Sequence, residues 1–318
     1  MTNKQKYYIF CETEENIPIF SQAWWLDAVC GTNWDVVLVE NHGDIIASMP
    51  YHMKKKTGFN IITMPKLTQN MGPYIKYLDN QKYEKRLAFE KKVMFQLIDN
   101  LPKFDKFSQN FHYNITNWQP FYWKGFQQTT RYTYVISNTD SLDTIVSAFS
   151  KKNKQLFIKG NNEIRILNNL SMKEFYDICK LTWNRQDIQI SYSYDLVESI
   201  FKVCKEKKCG QPYFAVDEKN NIHAVSFIIS DNNTMYSIFG GGDHTLMKSG
   251  AKNIILFHCL KLAVEQGLNF DFEGSMIENI ADYYRAFGAI QKPYSHITKT
   301  SSKILQIKNA FSEVLLNE

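Results

Sequence analysis

The residues best suited to chemistry in this chain lie in a short stretch of its second half. In Asn269-Phe270-Asp271-Phe272-Glu273-Gly274 the alternation of a strand turns Phe270 and Phe272 to one side and Asp271 and Glu273 to the other. Two carboxylates on one face, just before a glycine, are unusual in a core strand. The segment over 276–287 reads as a short helix ending at Phe287-Gly288, and it is expected to return Tyr283, Tyr284 and Arg285 close to the strand end. A carboxylate, a phenol and a guanidinium gathered there would orient an amine nucleophile, relay a proton and steady an oxyanion or phosphate. The candidate catalytic residues are therefore Asp271, Glu273, Tyr283 and Arg285. The same residues also fit a purely architectural role, with Asp271 capping the next segment and Arg285 tied to Glu273.

Upstream, a strand pattern over 234–239 alternates Met235, Ser237 and Phe239 against Tyr236 and Ile238, and then reaches Gly240-Gly241-Gly242. Three glycines at a strand end permit close approach of another backbone or of a ligand. Lys248-Ser249-Gly250-Ala251 opens a helix over 250–266 with an apolar stripe, and Gly267 supplies its left-handed end. Free backbone N–H groups and the positive end of the dipole at such a helix start suit a phosphate. Gly241, Gly242, Lys248, Ser249, Gly250 and Ala251 are the candidate cofactor-binding residues. His258 and Cys259, further along the same helix, read as packing residues.

The segment from Asn110 to Phe126 has neither a helical nor a strand period, and its Asn, Pro and Gly residues mark a loop. Its large rings are expected to form a lid over the first half's core, or the wall of a substrate groove in which Trp118, Tyr122 and Trp123 offer flat faces with polar tips. Lysines cluster at Lys54-Lys55-Lys56, at Lys91-Lys92 and at Lys151, Lys152, Lys154 and Lys159. They form a solvated face or a surface for an anionic substrate. The net charge of +5 on 318 residues is too small to indicate a nucleic-acid binder by itself. Six cysteines show no metal-ligand spacing, and no Ser-His-Asp or Cys-His arrangement is readable. No apolar run approaches the ~18 residues of a membrane span, and no signal-peptide core follows Met1, so a cytoplasmic protein is expected.

The elements that must position these residues occur twice. A helix over 21–30, a strand over 34–39, a turn at Asn41-His42-Gly43 and a strand over 45–51 are matched by a helix over 194–209, a strand over 213–216, a turn at Lys219-Asn220-Asn221 and a strand over 222–229. Each copy continues with a third strand (60–64; 234–239) and a glycine-containing loop (Asn70-Met71-Gly72-Pro73; Gly240-Gly241-Gly242). A helix (81–100; 250–266) and another strand complete it. A chain of 318 residues with 44% hydrophobic content suffices for two buried cores. Two domains are expected, 1–140 and 141–318.

This order of elements resembles the GNAT acyltransferase module. Its duplication, with Asp271-Phe272-Glu273-Gly274 followed by Tyr283-Tyr284-Arg285-Ala286-Phe287-Gly288, resembles the FemABX peptidyltransferase branch, which carries an Asp-Phe-x-Gly signature and a Phe-Lys-x-x-Phe-Gly-like signature in its second module. Asn70-Met71-Gly72-Pro73 is similar to that branch's Arg-Gly-Pro loop. The run from Arg131 to Ile136, the basic stretch from Lys151 to Lys159 and Trp183-Asn184-Arg185-Gln186 resemble further segments of it. The resemblance implies an α/β fold (α+β) of two tandem GNAT-like modules, each a mixed sheet flanked by helices. It also implies acyl or aminoacyl transfer to an amine in a groove between the modules, with a cell-envelope precursor as acceptor and Arg131, Lys151, Lys154 and Arg185 beside substrate. No cofactor is held permanently; the co-substrate is an aminoacyl-tRNA or an acyl-CoA. Arg285 stands where the branch has lysine, a planar fork in place of a point charge. A CoA-dependent N-acetyltransferase is the alternative enzyme, although His244 to Ala251 lacks the leading Gln or Arg and the spacing of the usual Gln/Arg-x-x-Gly-x-Gly/Ala loop. A non-catalytic ligand-binding protein is the alternative of another class.

Overall fold

The computed structural model describes residues 1–159, 163–185, 192–274 and 276–307. Contacts divide the chain into one unit of Met1–Arg131 together with the chain from Pro293, and a second of Tyr132–Lys292.

The first unit opens with α1 (Asn3–Thr13), started by a reciprocal capping box between Thr2 and Gln5, and with α2 (Ala23–Cys30). Strands β1 (Trp34–Asn41) and β2 (Asp44–Lys56) form a hairpin whose two central residues, His42 and Gly43, both take positive φ (52° and 93°), the geometry that matches strand twist. Then follow β3 (Phe59–Thr63), β4 (Tyr74–Ile75), α3 (Tyr83–Asp99), β5 (Lys106–Asn110), α4 (Gln119–Trp123) and β6 (Gln127–Ile136). Val37, Val39, Met49 and Ile62 of the sheet face Val93 and Leu97 of α3. The ring-rich segment does act as a lid: Phe111, Phe121 and Phe126 are buried in this core, and α4 is a short helix within it.

In the second unit, Ser141 caps α5 (Leu142–Ala148), followed by α6 (Lys151–Lys159), β7 (Arg165–Leu167), α7 (Met172–Arg185) and α8 (Tyr194–Glu206), which Ser193 caps. Next come β8 (Gly210–Val216), β9 (Ile222–Ser230), β10 (Thr234–Gly242), a 3-10 turn over His244–Ser249, α9 (Ala251–Glu265), β11 (Asn269–Asp271), α10 (Glu278–Arg285) and β12 (Ile290–Thr300). The strand order is β6-β11-β10-β9-β8-β7 here and β1-β2-β3-β5-β12 in the first unit, where β4 adds to β2. Each sheet is mixed: β3 with β5 and β10 with β11 run parallel, among antiparallel neighbours. Both units are thus mixed sheets flanked by helices, in tandem, as the sequence leads one to expect. Residues Phe149, Phe257, Phe272 and Phe287 pack their rings together and seat α9 and α10 on the second sheet.

Three sequence readings change. The expected break at 140/141 differs from the contact division because β12 pairs its last residues with β5, from His296–Asn110 to Thr300–Lys106, and so returns the chain to the first unit. Gly240, Gly241 and Gly242 are not a loop; they are the last residues of β10 and pair with Ser226, Val225 and Ala224. The strand expected over 269–274 ends at Asp271, and Glu273 takes a positive φ of 65°.

Candidate active site

The site begins where β11 leaves β10. The parallel ladder between them covers Thr234–Asn269, Met235–Phe270 and Tyr236–Asp271, while β10 runs on to Gly242 along β9. The chain after Asp271 stays with β6 instead, the Phe272 N–H donating to Tyr134 O at 3.0 Å. Asp271 and Glu273 sit at this divergence, and both are buried. The Thr133 hydroxyl donates to Asp271 Oδ1 at 2.5 Å, and the Glu273 N–H donates to the same oxygen at 2.8 Å. That second bond is a turn of the Asx kind, and it holds Glu273 in the left-handed conformation, which costs a non-glycine residue about 1–2 kcal/mol. Neither carboxyl oxygen of Glu273 has a hydrogen-bond partner among the described residues. Burial pushes the Asp271 carboxyl up to about 6, against the pull of its two hydrogen bonds. Burial and then the Asp271 charge push Glu273 well above the usual carboxylate range. At neutral pH Asp271 is therefore mainly ionised and able to accept a proton, while the raised Glu273 carboxyl favours its protonated form more than an exposed glutamate does.

The two tyrosines of α10 close this end. Tyr284 stacks at a tilt on Phe272 (5.2 Å between centroids), and burial followed by the charges of Glu273 and Asp271 raises its phenol pKa. Tyr283 packs on Phe287 and donates to Asn253 Oδ1 at 3.4 Å. Arg285 does not join them. Its side chain is 63% exposed and ion-paired with Asp282 one turn back on α10, so the expected tie to Glu273 and the expected place at the strand end are both replaced by a local surface pair. Arg285→Ala is therefore expected to shift the melting temperature by no more than about 2 °C and to leave turnover within about a factor of two of the parent, surface pairs of this kind contributing ~0.3–0.5 kcal/mol; steady-state rates and a thermal melt check this.

At the start of α9, Gly250 takes a left-handed φ of 70°, and a Cβ there would stand 3.0 Å from Leu156 of α6. Ser249 Oγ accepts the Ala251 N–H at 3.3 Å. Lys248 stands in the last turn of the 3-10 segment and Lys252 in the first turn of α9. Lys252 is solvent-accessible at one side; the protein crowded around its stem, and then the neighbouring Arg185 charge, hold its ammonium below the ordinary lysine range. Arg185, at the end of α7, contacts the Met247 thioether at 3.6 Å. Neither cation has a carboxylate partner among the described residues. Lys252 also lies over the Tyr283 ring at 5.2 Å, which links this positive corner through Tyr283 and Tyr284 to the carboxyl pair. Two adjacent cations at a helix start are suited to an anionic group.

Residues 150–283 match the family model described as an acetyltransferase (GNAT) domain. The match lies wholly within the second unit and is a likeness to that domain. Solved structures extend the likeness in fold to both units. "Crystal structure of FemX" aligns with a TM-score of 0.66 at 12% identity, covering 93% of this chain and 96% of that one. L-PGS from Bacillus licheniformis aligns at 0.55 and 10% identity (95% and 94% covered), and a tandem GNAT protein from the clavulanic acid biosynthesis pathway at 0.51 and 6% identity (94% of each). No curated protein matches the sequence. The FemX-like tandem fold expected from the two signatures is the one observed.

Within the second unit, the roles expected of the glycines change. A Cβ on Gly241 would meet Cys179 Cα at 2.8 Å, so what this glycine admits is helix α7. The Gly242 N–H donates to Thr182 Oγ1 at 2.9 Å, and the Thr182 hydroxyl donates back to Gly242 O at 3.2 Å. Both glycines are spent on packing α7 against β10. Lys151 and Lys154 are exposed on α6. The residue between them that does connect elements is buried Asn153, which donates to Ala286 O and accepts from Asn253 Nδ2 at 2.9 Å, fixing α6, α9 and α10 around Tyr283. In the first unit, Trp118 is partly buried against the core, with Tyr122 edge-on to it, while Tyr122 and Trp123 are 62% and 50% exposed. Arg131 stands close enough to His296 to lower its pKa, behind the larger effect of burial. Gln186 and Ser275 lie outside the described residues.

Thr133, Thr182, Lys252 and Asn153 have no part in the sequence reading. Nothing local in the sequence marks which threonine meets a carboxylate from Asp271, 138 residues away.

Proposed function

We propose that the protein transfers an acyl or aminoacyl group from a phosphate-bearing donor to an amine, with Asp271 taking the proton that the attacking nitrogen releases. The observation that carries this reading is the buried carboxyl pair at the divergence of β10 and β11, in which the Glu273 oxygens have no hydrogen-bond partner among the described residues and burial pushes Asp271 up to about 6. An amine attacks a carbonyl carbon as the neutral base, forms the C–N bond and becomes positively charged; the donor's C–O or C–S bond then breaks. A carboxylate beside the nitrogen removes its proton, and the leaving alkoxide or thiolate takes one up to depart as the alcohol or thiol. Such general-base help is worth about 10²–10⁴ in rate, the remainder coming from positioning an already activated ester or thioester.

The positive corner of Lys252, Arg185 and Lys248 supports a donor carrying phosphate, which an acyl-CoA and an aminoacyl-tRNA both do. A cell-envelope precursor amine is the acceptor class suggested by the FemABX signatures. The test is a transfer assay with labelled acetyl-CoA and labelled aminoacyl-tRNAs against amine acceptors. One donor should give an N-acylated product, and Lys252→Ala and Arg185→Ala, each removing a solvent-accessible cation, should each raise its KM several-fold, as expected for loss of a charge-assisted contact, with a smaller change in kcat. Transfer from neither donor, or a KM unchanged in both variants, would count against the reading.

A further inference from the structure

A second site is built at the other end of the β10 strand. A cavity of about 600 Å³ opens between the segment before α7, the end of α8 and the first residues of β8 and β10. None of its lining residues belongs to the carboxyl pair, the α10 tyrosines or the α9 corner. The volume falls in the range of small-molecule sites, roughly 300–1,000 Å³. Its floor is apolar and buried, formed by Met172, Ile228 and Met235, with the ring of Tyr213 beside them.

Lys205 and Lys208 line the same cavity. Both are exposed, and neither has an ion-pair partner among the described residues. Lys205 stands in the last turn of α8, where the dipole alone favours a cation. Lys208 has no such excuse in its backbone: it sits past the helix end at φ 56°, the left-handed position that glycine ordinarily fills, and a side chain there costs about 1–2 kcal/mol. Two lysines without an ion-pair partner among the described residues, over a buried apolar floor, describe a receptor with a charged rim and an apolar base.

We propose that this cavity binds a small amphipathic anion, its apolar body against Met172, Ile228 and Met235 and its anionic head between Lys205 and Lys208. The reading is independent of acyl transfer and would stand if that failed. The probe is 8-anilinonaphthalene-1-sulfonate, titrated into the full chain by fluorescence, with the uncharged N-phenyl-1-naphthylamine as its neutral counterpart. Saturable binding of one sulfonate per chain is expected. The double variant Lys205→Gln/Lys208→Gln should weaken the sulfonate at least tenfold and leave the neutral probe unchanged. A charge-matched control, Lys54→Gln/Lys55→Gln, exposed on β2 in the first unit, should bind the sulfonate as the parent does. The proposal is overturned if the sulfonate does not saturate, if the Lys205/Lys208 variant binds it as the parent does, or if the control loses affinity equally.

Discussion

Asp271→Asn raises the melting temperature at pH 7 while lowering turnover. An aspartate whose pKa is about 6 in the folded protein and near 3.8 when unfolded binds its proton more tightly folded than unfolded. Folding therefore takes up a proton between those values. Stability is greatest below the unfolded pKa, falls as pH rises through the window from about 4 to 6, and carries the full penalty above it, up to roughly 3 kcal/mol. Asparagine keeps an oxygen for the Thr133 hydroxyl and the Glu273 N–H and has no charge to desolvate. The variant should gain several degrees at pH 7 and converge with the parent below about pH 4. Glu273→Gln should behave in the same sense: a carboxyl held above its unfolded value of 4.5 costs stability as pH rises past that value, and glutamine, with no charge to desolvate and no proton to take up, removes that cost at pH 7. Calorimetry at acid and neutral pH reads both. A fall in melting temperature for Asp271→Asn at pH 7 would mean that Asp271 is a structural tie.

Gly241→Ala has the opposite signature. The added methyl would stand 2.8 Å from Cys179 Cα and 3.1 Å from Ile178 O, both backbone atoms of α7, and 3.0 Å from Thr182 Oγ1. Backbone in a helix that is packed through Phe175 and Cys179 cannot yield as a flexible side-chain tip does. Overpacking of this kind costs about 1–3 kcal/mol or more, so a loss of up to about 10 °C is expected for a domain of this size. Once folded, the variant should bind the acyl donor as the parent does. A parent-like melting temperature with lost donor binding would return Gly241 to the ligand role its sequence context suggested.

These cases show what local pattern reveals. The Asn41-His42-Gly43 and Lys219-Asn220-Asn221 hairpins and the apolar stripes of α3, α8 and α9 are written in spacings of a few residues, and so is the alternation that set Asp271 and Glu273 apart from Phe270 and Phe272. The Gly240 to Gly242 run reads the same whether a ligand or a helix approaches; its neighbour α7 is some sixty residues away in sequence, as the Thr182–Gly242 bond shows. Arg285 was drawn to the strand end by its place after the tyrosines, but Asp282, three residues back, satisfies it locally. Lys252 gains meaning only from Arg185 and Tyr283, which tertiary packing brings beside it, and the return of β12 to β5 is a pairing across 186 residues at His296 and Asn110.

The central claim is that Asp271 accepts the proton of the attacking amine. The rate of amine acylation in a single turnover, followed from below to above pH 6 in the parent and in Asp271→Asn, tests it most directly. The account predicts a parent rate that rises through a midpoint near 6, and a variant at least ~100-fold slower in which that limb is gone. A variant that acylates within a few-fold of the parent with the same pH dependence would contradict it.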